Sequence, residues 1–233
     1  MAVSRGEILG LIGPNGAGKS TLLNMIAGFF FPRDGAIHLE GENITRFPGY
    51  LRARRGIARV FQRNVLFQSA TVLENILAGS HLYASHGFLE IFHKRPSVLK
   101  REAAMRARAE DILRLVGLET QTNEIATSLP HGSQRILCIG VALAVEPKLL
   151  LLDEPFTGMN AEETDAMITL VKTLRDSEGI TVVVVEHNMK AVIGLCDRAV
   201  VLNYGTKMAE GTPREVVENP AVIEAYLGVQ DGT

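Results

Sequence analysis

Near the start of the chain, a glycine-rich run with one lysine and a Ser-Thr pair lies between an apolar strand pattern and a helical pattern. The run, GPNGAGKST at positions 13–21, fits the spacing G-x-x-x-x-G-K-[ST]. Its glycines let successive backbone N–H groups point inward around a phosphate, at the positive end of the following helix. Lys19 would reach the β- and γ-phosphates, Ser20 would bind Mg²⁺, and Thr21 would contact the α-phosphate. We therefore predict a nucleotide-binding loop that consists of Gly13, Pro14, Asn15, Gly16, Ala17, Gly18, Lys19, Ser20 and Thr21.

Two carboxylates follow a second apolar strand pattern, LLLLDE at positions 149–154. A carboxylate pair at the end of a buried strand is costly unless a cation lies nearby, and Mg²⁺ on a nucleotide would supply that cation. Asp153 is then predicted to lie on the metal side, and Glu154 to orient or deprotonate an attacking water. The alternative is an ordinary strand-end cap, with Pro155 ending the strand.

Two further polar residues end predicted strands. His187 closes ITVVVVEH at 180–187, and Gln62 follows GIARVF at 56–61. Because the carboxyl ends of parallel strands share one edge of a sheet, we expect both residues near Glu154 and the glycine-rich loop. We predict that His187 contacts the γ-phosphate or the water, and that Gln62 binds Mg²⁺ or the water. A structural role at the end of its strand is the alternative for the histidine.

The elements that must position these residues alternate short β-rich runs with helical patterns, which is typical of a mostly parallel sheet covered by helices. Turn signals at 32–45 predict a small antiparallel portion. From 70 to 147 the periodicity is helical, which predicts an inserted helical subdomain. We therefore predict one α/β domain over the whole chain, with a nucleotide-binding core at 1–69 and 148–211 and a C-terminal helical tail at 212–233.

Composition and charge argue against several functions. Lys plus Arg total 24 against 26 Asp plus Glu, so the formal net charge of -2 gives no global reason to expect nucleic acid as a partner. Cys138 and Cys196 lie far apart in apolar helical patterns, where a small buried hydrophobe is favoured over a disulfide or a metal ligand. No apolar run approaches the roughly 20 residues that span a bilayer. We expect a soluble, cytoplasmic chain.

Two clusters of basic residues stand out from this near-neutral background. A solvated helix face is the usual meaning of such runs, and proximity to anionic lipid is the second interpretation. Nucleic-acid binding is disfavoured because both clusters lack aromatic stacking platforms. The first cluster consists of Arg52, Arg54, Arg55, Arg59 and Arg63, and the second of Lys94, Arg95, Lys100, Arg101, Arg106 and Arg108.

Five motifs, taken in order, resemble those of the nucleotide-binding subunits of ABC transporters. They are the glycine-rich loop, Gln62, TSLPHGSQR at 127–135, LLLLDEP at 149–155 and His187. The resemblance implies the P-loop NTPase fold of the RecA-like type and an ATPase that uses ATP and Mg²⁺. The metal-side residues that it implies are Ser20, Gln62 and Asp153, and the catalytic residues are Glu154 and His187.

The stretch at 127–135 matches the place of the family's signature, usually written LSGGQ. In the family this signature begins a helix in the helical subdomain and contacts the γ-phosphate of ATP held by the other subunit. Here Pro130 replaces the usual serine, His131 a glycine and Ser133 the glutamine, while Gly132 and the helix dipole remain. The alternative is that only a helix cap survives. The signature residues that the resemblance implies are Leu129, Pro130, His131, Gly132 and Ser133.

Nearly the whole chain resembles the ATP-binding subunit of high-affinity branched-chain amino-acid importers, in TVLENILAGSHL at 71–82, the long basic insert at 94–108, and positions 182–213 and 219–228. The resemblance implies an importer for branched-chain or related amino acids. Its partners would be a second ATP-binding subunit in a homodimer or heterodimer, integral membrane permease subunits and, indirectly, a solute-binding protein. It also implies a peripheral location on the cytoplasmic face of the inner membrane. Family members carry an edge strand and an adenine-stacking aromatic before the glycine-rich loop; because the loop starts at Gly13, we expect the chain to lack both.

Other functions fit parts of the same pattern. A catalytically weak or structural nucleotide-binding partner is favoured by the altered signature, although Glu154 and His187 are intact. A soluble ABC ATPase of translation or repair usually carries tandem domains or a coiled-coil insertion, and the sequence has neither. In a P-loop kinase or GTPase, nothing would require a helix to begin at 132–134. The guanine-reading motif N-K-x-D, which a GTPase would carry, does not occur.

Overall fold

Two compact units make up the chain in its computed structural model, which describes residues 1–81 and 96–227. The first unit consists of Met1–Gln62 and Lys148–Thr233, and the second of Arg63–Pro147. The first unit therefore contains both halves of the chain that carry strand patterns, and the second contains the helical middle.

The predicted helical subdomain at 70–147 falls inside the second unit, which begins at Arg63. Three predicted features lie partly outside the described residues. These are positions 82–95 of the helical subdomain, positions 228–233 of the helical tail, and Lys94 and Arg95 of the second basic cluster.

A six-stranded sheet forms the centre of the first unit. Neighbouring strands are parallel except for the last pair, and a separate antiparallel pair of short strands lies at 38–43, within the predicted range of 32–45. The strands are β1 (Ile8–Ile12), β2 (His38–Leu39), β3 (Glu42–Asn43), β4 (Ile57–Val60), β5 (Leu149–Asp153), β6 (Thr181–Val185), β7 (Arg198–Asn203) and β8 (Thr206–Gly211). The order across the main sheet is β4-β5-β6-β1-β7-β8, with β7 and β8 antiparallel.

The central strands are almost entirely apolar, as is typical of strands covered on both faces. All five residues of β1 and of β6 are buried. Leu9 and Leu11 of β1 pack in a cluster with Leu23, on one face of the sheet. Gly10 faces the other way, where an added Cβ would lie 3.0 Å from the Cys196 sulfur.

Some helices of the first unit begin at residues whose side chains satisfy free backbone N–H groups. Asn160 with Glu163, and Thr212 with Glu215, form complete capping boxes. Pro213 occupies the first turn of its helix, where a missing N–H costs nothing. The helices of the first unit are α1 (Lys19–Ala27), α2 (Gly49–Ala53), α6 (Ala161–Glu178), α7 (Met189–Leu195), α8 (Pro213–Val217) and α9 (Pro220–Leu227).

The second unit is helical in its described residues. Its helices are α3 (Val72–His81), α4 (Pro96–Val116) and α5 (His131–Leu143), with short 3₁₀ turns at Glu119–Gln121 and Ala126–Ser128. These three helices pack on one another, and a Cβ added at Gly140 would lie 3.3 Å from Ile76 and 3.6 Å from Ile112. Thr71 and Glu74 form both bonds of a capping box at the start of α3.

The structure confirms the predicted α/β fold with a mostly parallel sheet. Strand β8 was not predicted, because its residues are largely exposed and show no apolar pattern. In the part of the chain that the structure describes, no helix is both long and apolar enough to cross a bilayer.

Candidate functional site

The glycine-rich loop joins β1 to α1, as its sequence predicts. Gly13, Gly16 and Gly18 all have positive φ angles, of 145°, 78° and 96°. The first helical turn of α1 contains no acidic residue, and its N-cap Gly18 supplies no side-chain hydrogen bond. The N–H groups at this helix start are therefore not engaged by an acidic or capping side chain of their own helix, and they favour an anion.

Lys19 lies inside the loop and is only 7 % exposed. Its Nζ donates to the carbonyl oxygens of Gly13 and Pro14, at 2.7 and 2.9 Å. Burial lowers the pKa of Lys19, and the nearby carboxylates of Glu154 and Asp153 oppose that shift. The loop thus holds an ammonium group close to the two carboxylates that end β5.

Ser20 and Thr21, the next two residues, are exposed. Their hydroxyls lie at the start of α1, beside the lysine, as a metal ligand and an α-phosphate donor must. The loop residues predicted from the sequence therefore form one continuous segment from the end of β1 into α1.

Three predicted site residues meet at the carboxyl ends of β4, β5 and β6. The Gln62 Nε2 donates to Glu154 Oε2 at 2.8 Å, and His187 Nδ1 lies 3.8 Å from Glu154 Oε1. Glu154 has a left-handed backbone, with φ of 49°, and its N–H donates to the Val185 carbonyl at 2.9 Å. That turn directs the residue away from the strand, and a strained conformation of this kind is often found at functional sites.

Asp153 is held by a partner that the sequence did not indicate. The Arg59 Nη2 donates to Asp153 Oδ2 at 2.7 Å, and their side chains are only 7 % and 9 % exposed. The guanidinium also donates to Asn24 and lies 4.7 Å from the centre of the Phe61 ring. The ion pair leaves the other carboxylate oxygen of Asp153 without a partner from Arg59.

The interpretation of the first basic cluster as a solvated helix face was wrong for two of its members. Arg59 lies on β4 and is paired with Asp153. Arg52 is fully buried and donates to the backbone carbonyls of Thr45, Ile26 and Phe47. Spacing along the chain could not distinguish these buried arginines from exposed ones, because Arg59 pairs with a residue 94 positions away and Arg52 donates to backbone carbonyls, which every residue has.

Glu186 is a positioning residue that sequence reasoning missed. It is 1 % exposed, and its carboxylate accepts N–H bonds from Phe156 at 3.1 Å and from His187 at 3.1 Å. Burial raises the pKa of Glu186, and these hydrogen bonds act in the opposite direction. The side chain therefore ties the segment after β5 to the end of β6. An acid directly before His187 in an otherwise apolar run was the available signal.

The five signature residues belong to the second unit, where they begin a helix as predicted. Pro130 is the N-cap of α5 and His131 its first residue, and no side chain caps this end. Both are exposed, whereas Gly132 is buried and Leu129 is 3 % exposed. Gln134 donates its Nε2 to the Leu129 carbonyl at 2.9 Å, which fixes the turn before the helix. Ser133 is half-buried.

The residues of the first unit fit a magnesium ion held jointly with a nucleotide. Mg²⁺ is usually bound by one or two carboxylates together with substrate phosphates and water. Ser20 offers a hydroxyl, Gln62 an amide oxygen and Asp153 a carboxylate. Among residues 1–81 and 96–227, no group of three or more His, Cys, Asp or Glu could hold a metal by itself. This donor set therefore suits a metal that arrives with its substrate.

Comparison with protein families gives two matches. Residues 1–157 match the family described as ABC transporter. Residues 206–232 match a family described as branched-chain amino acid ATP-binding cassette transporter.

Several curated relatives are similar along nearly their full length. The high-affinity branched-chain amino acid transport ATP-binding protein BraF of Pseudomonas aeruginosa is 40 % identical over 98 % of this chain and 89 % of its own. The corresponding protein LivG of Escherichia coli K12 is 40 % identical over 95 % of this chain and 87 % of its own. The lipopolysaccharide export system ATP-binding protein LptB of Acidithiobacillus ferridurans is 35 % identical over 98 % of this chain and 88 % of its own.

A solved structure has the same fold. The ADP conformation of an ATP-binding cassette of an ABC transporter superposes with a TM-score of 0.84 at 30 % identity, covering 98 % of this chain and 90 % of the other. These comparisons agree with the P-loop NTPase fold that the motifs predicted. The chain therefore belongs to the ABC transporter family, as an ATP-binding subunit whose ATP hydrolysis is coupled to transport.

Proposed function

We propose that this chain binds Mg-ATP on the first unit and hydrolyses it to power a membrane importer for branched-chain or related amino acids. The observation that carries the proposal is the meeting of Gln62, Glu154 and His187 at one sheet edge. The same edge has the carboxylates of β5 close enough to Lys19 to affect its pKa. A buried ammonium close to a carboxylate that can activate water is an arrangement suited to phosphoryl transfer to water.

The proposed roles follow from where each group lies. The backbone and Lys19 of the glycine-rich loop, Gly13–Thr21, hold the phosphates. Ser20, Gln62 and Asp153 would hold Mg²⁺, which, when bound, offsets phosphate charge. Glu154 accepts the proton of the attacking water, and His187 contacts that water or the γ-phosphate.

Residues 129–133 are proposed to contact the nucleotide of a second ATP-binding subunit. A helix start with no side-chain cap is a site where backbone N–H groups remain for a phosphate. Pro130 has no hydroxyl and no N–H, so backbone N–H groups further along the first turn would have to make this contact. His131 is exposed and would add a ring N–H donor.

The cargo and the partners are proposed from the relatives. The C-terminal family match and the two relatives at 40 % identity carry branched-chain amino acid transport in their names, whereas the lipopolysaccharide relative is less similar at 35 %. The chain would then act on the cytoplasmic face of the inner membrane, bound to permease subunits that receive solute from a binding protein.

A second candidate is a nucleotide-binding partner with weak or no hydrolysis. The altered signature favours it, because Pro130, His131 and Ser133 depart from the family pattern at three of five positions. In such a subunit, ATP would bind the loop, but only a different chain would complete its site.

The experiment compares the wild-type chain with Glu154→Gln by ATPase assay and by size-exclusion with light scattering, with and without Mg-ATP. A glutamine keeps an oxygen that can accept the Gln62 bond, but it cannot accept a proton. We expect hydrolysis to fall by about 100-fold or more, as for loss of a general base, and the stalled variant to dimerise only with ATP. Glu162→Gln, an exposed residue in the first turn of α6, is the matched control and should behave as wild type.

The wild-type chain could bind ATP without hydrolysing it and without dimerising in either condition. That result would refute a self-sufficient ATPase and would favour the structural partner. Absence of ATP binding would refute both candidates.

A further inference from the structure

The hairpin formed by β7 and β8 runs alongside the glycine-rich loop. At the start of the loop, an added Cβ on Gly13 would lie 2.1 Å from the Leu202 carbonyl oxygen. Further along, the Gly205 N–H donates to the Ala17 carbonyl at 2.9 Å, and a Cβ on Gly18 would lie 3.6 Å from the Gly205 Cα. The turn of the hairpin is therefore fixed against the part of the loop that leads into α1.

The residue at the tip of this turn is a tyrosine in an unusual conformation. Asn203 pairs with Thr206, so Tyr204 and Gly205 form a two-residue turn, and their φ angles are 47° and 77°. Turns of this kind favour Asn, Asp or Gly at the first position, because other side chains are strained there. Tyr204 nevertheless occupies it, with 88 % of its surface exposed to solvent. Neither backbone conformation nor burial explains an aromatic side chain at this tip.

The order of strands indicates which end of a nucleotide faces this tip. Glu154 and His187 follow β5 and β6, on one side of β1 in the sheet, and act at the terminal phosphate. β7 and β8 lie on the other side of β1. With its phosphates on the loop after β1, a nucleotide directs its opposite end, the ribose and base, toward the β7–β8 turn.

We propose that Tyr204 stacks on the base of the nucleotide held by the glycine-rich loop. This inference rests on the proposed ATP-binding function and deepens it by assigning the base contact. An aromatic face accepts any nucleobase by stacking, without a hydrogen-bond code. The turn thus adds affinity for a nucleoside rather than selectivity for adenine. The bond from the Gly205 N–H to the Ala17 carbonyl fixes the turn against the loop.

The test separates base contact from phosphate contact by using two probes, ATP and inorganic tripolyphosphate, in calorimetric binding. We expect Tyr204→Ala to weaken ATP binding by about 5- to 100-fold, the range for loss of one aromatic–base stack, and to leave tripolyphosphate binding unchanged. Tyr204→Phe and Tyr204→Trp should retain ATP affinity. Tyr50→Ala, which removes another exposed tyrosine from α2, is the matched control.

The chain contains no tryptophan, so Tyr204→Trp also gives a single fluorescent reporter at the tip. Its emission should change on addition of ATP or GTP and not of tripolyphosphate.

Equal ATP affinity of Tyr204→Ala and Tyr50→Ala would overturn the stacking proposal and would leave the tip free for a protein partner. Equal weakening of ATP and tripolyphosphate would also overturn it, because the turn would then only support the loop. If the wild-type chain bound neither probe, the proposed function itself would fail, which is a different result from either of these.

Discussion

Replacing Arg59 by methionine should destabilise the first unit because it leaves Asp153 as a buried charge without its ion-pair partner. The Nη2–Oδ2 distance is 2.7 Å, and both side chains are less than one tenth exposed. Methionine keeps an apolar stem beside the rings of Phe29 and Phe61, which lie 5.8 and 4.7 Å from the guanidinium. The substitution therefore removes the charge and its hydrogen bonds with little loss of packing.

The expected magnitude follows from the burial of the pair. Removing one partner of a buried ion pair typically costs about 3–5 kcal/mol in the free energy of unfolding. We expect a loss of about 3 kcal/mol, the lower end of this range, because the Lys19 ammonium also interacts with Asp153 and partly compensates it. Asp153→Asn should be destabilising for the converse reason, since it leaves the arginine buried with a neutral neighbour.

The assay is urea unfolding of four proteins, followed by circular dichroism: wild type, Arg59→Met, Asp153→Asn and the double variant. If the pair interacts as the geometry indicates, the double variant should be more stable than the sum of the single losses predicts, by about 1–3 kcal/mol of coupling. Arg55→Met provides the control, because Arg55 and Glu42 form an ion pair with side chains 32 % and 49 % exposed. Its loss should change stability little, since water solvates both charges.

Two results would refute this reasoning. One is an Arg59→Met variant no less stable than Arg55→Met, which would mean that Asp153 is solvated or neutral in the folded chain. The other is strict additivity in the double variant, which would mean that the two side chains act on stability independently.

Two further predictions concern the first glycine of the loop and the two cysteines. Gly13→Ala should lower the melting temperature far more than Gly35→Ala, although both have positive φ, because only at Gly13 would the new Cβ meet a backbone oxygen, that of Leu202 at 2.1 Å; equal melting temperatures would contradict this clash. Burial raises the pKa of Cys138 to about 11 and of Cys196 to about 12, so a thiol-specific reagent should label neither in the folded chain near neutral pH. Labelling should accelerate as pH rises toward those values or when urea is added, and rapid labelling of folded protein near neutral pH would be evidence against this burial.

The sequence predicted the residues whose chemistry requires a fixed spacing, and it missed those that act through distant partners. The glycine-rich loop was identifiable because phosphate binding by backbone N–H groups demands glycines at set intervals before a helix. Gln62 was a weak signal alone, and only its 2.8 Å bond to Glu154 joins it to the site. Arg59 was assigned to a solvated cluster because its partner, Asp153, is 94 positions away. No charge pattern along the chain contains that information.

The phosphate end of the nucleotide can be assigned to residues from the sequence, whereas the base end cannot. This difference explains why the base contact could be proposed only from the structure. The phosphate end needs particular groups: glycine N–H, an ammonium, a carboxylate and a hydroxyl, all in one order along the chain. A base needs only a flat apolar face, which any aromatic on any neighbouring turn provides. Strand β8 itself gave no apolar pattern, so the turn that carries Tyr204 was not predicted as a hairpin. The strand order places that turn on the opposite side of β1 from Glu154, and the Gly205–Ala17 hydrogen bond fixes it against the loop. An exposed aromatic becomes informative only when its distance to such a loop is known.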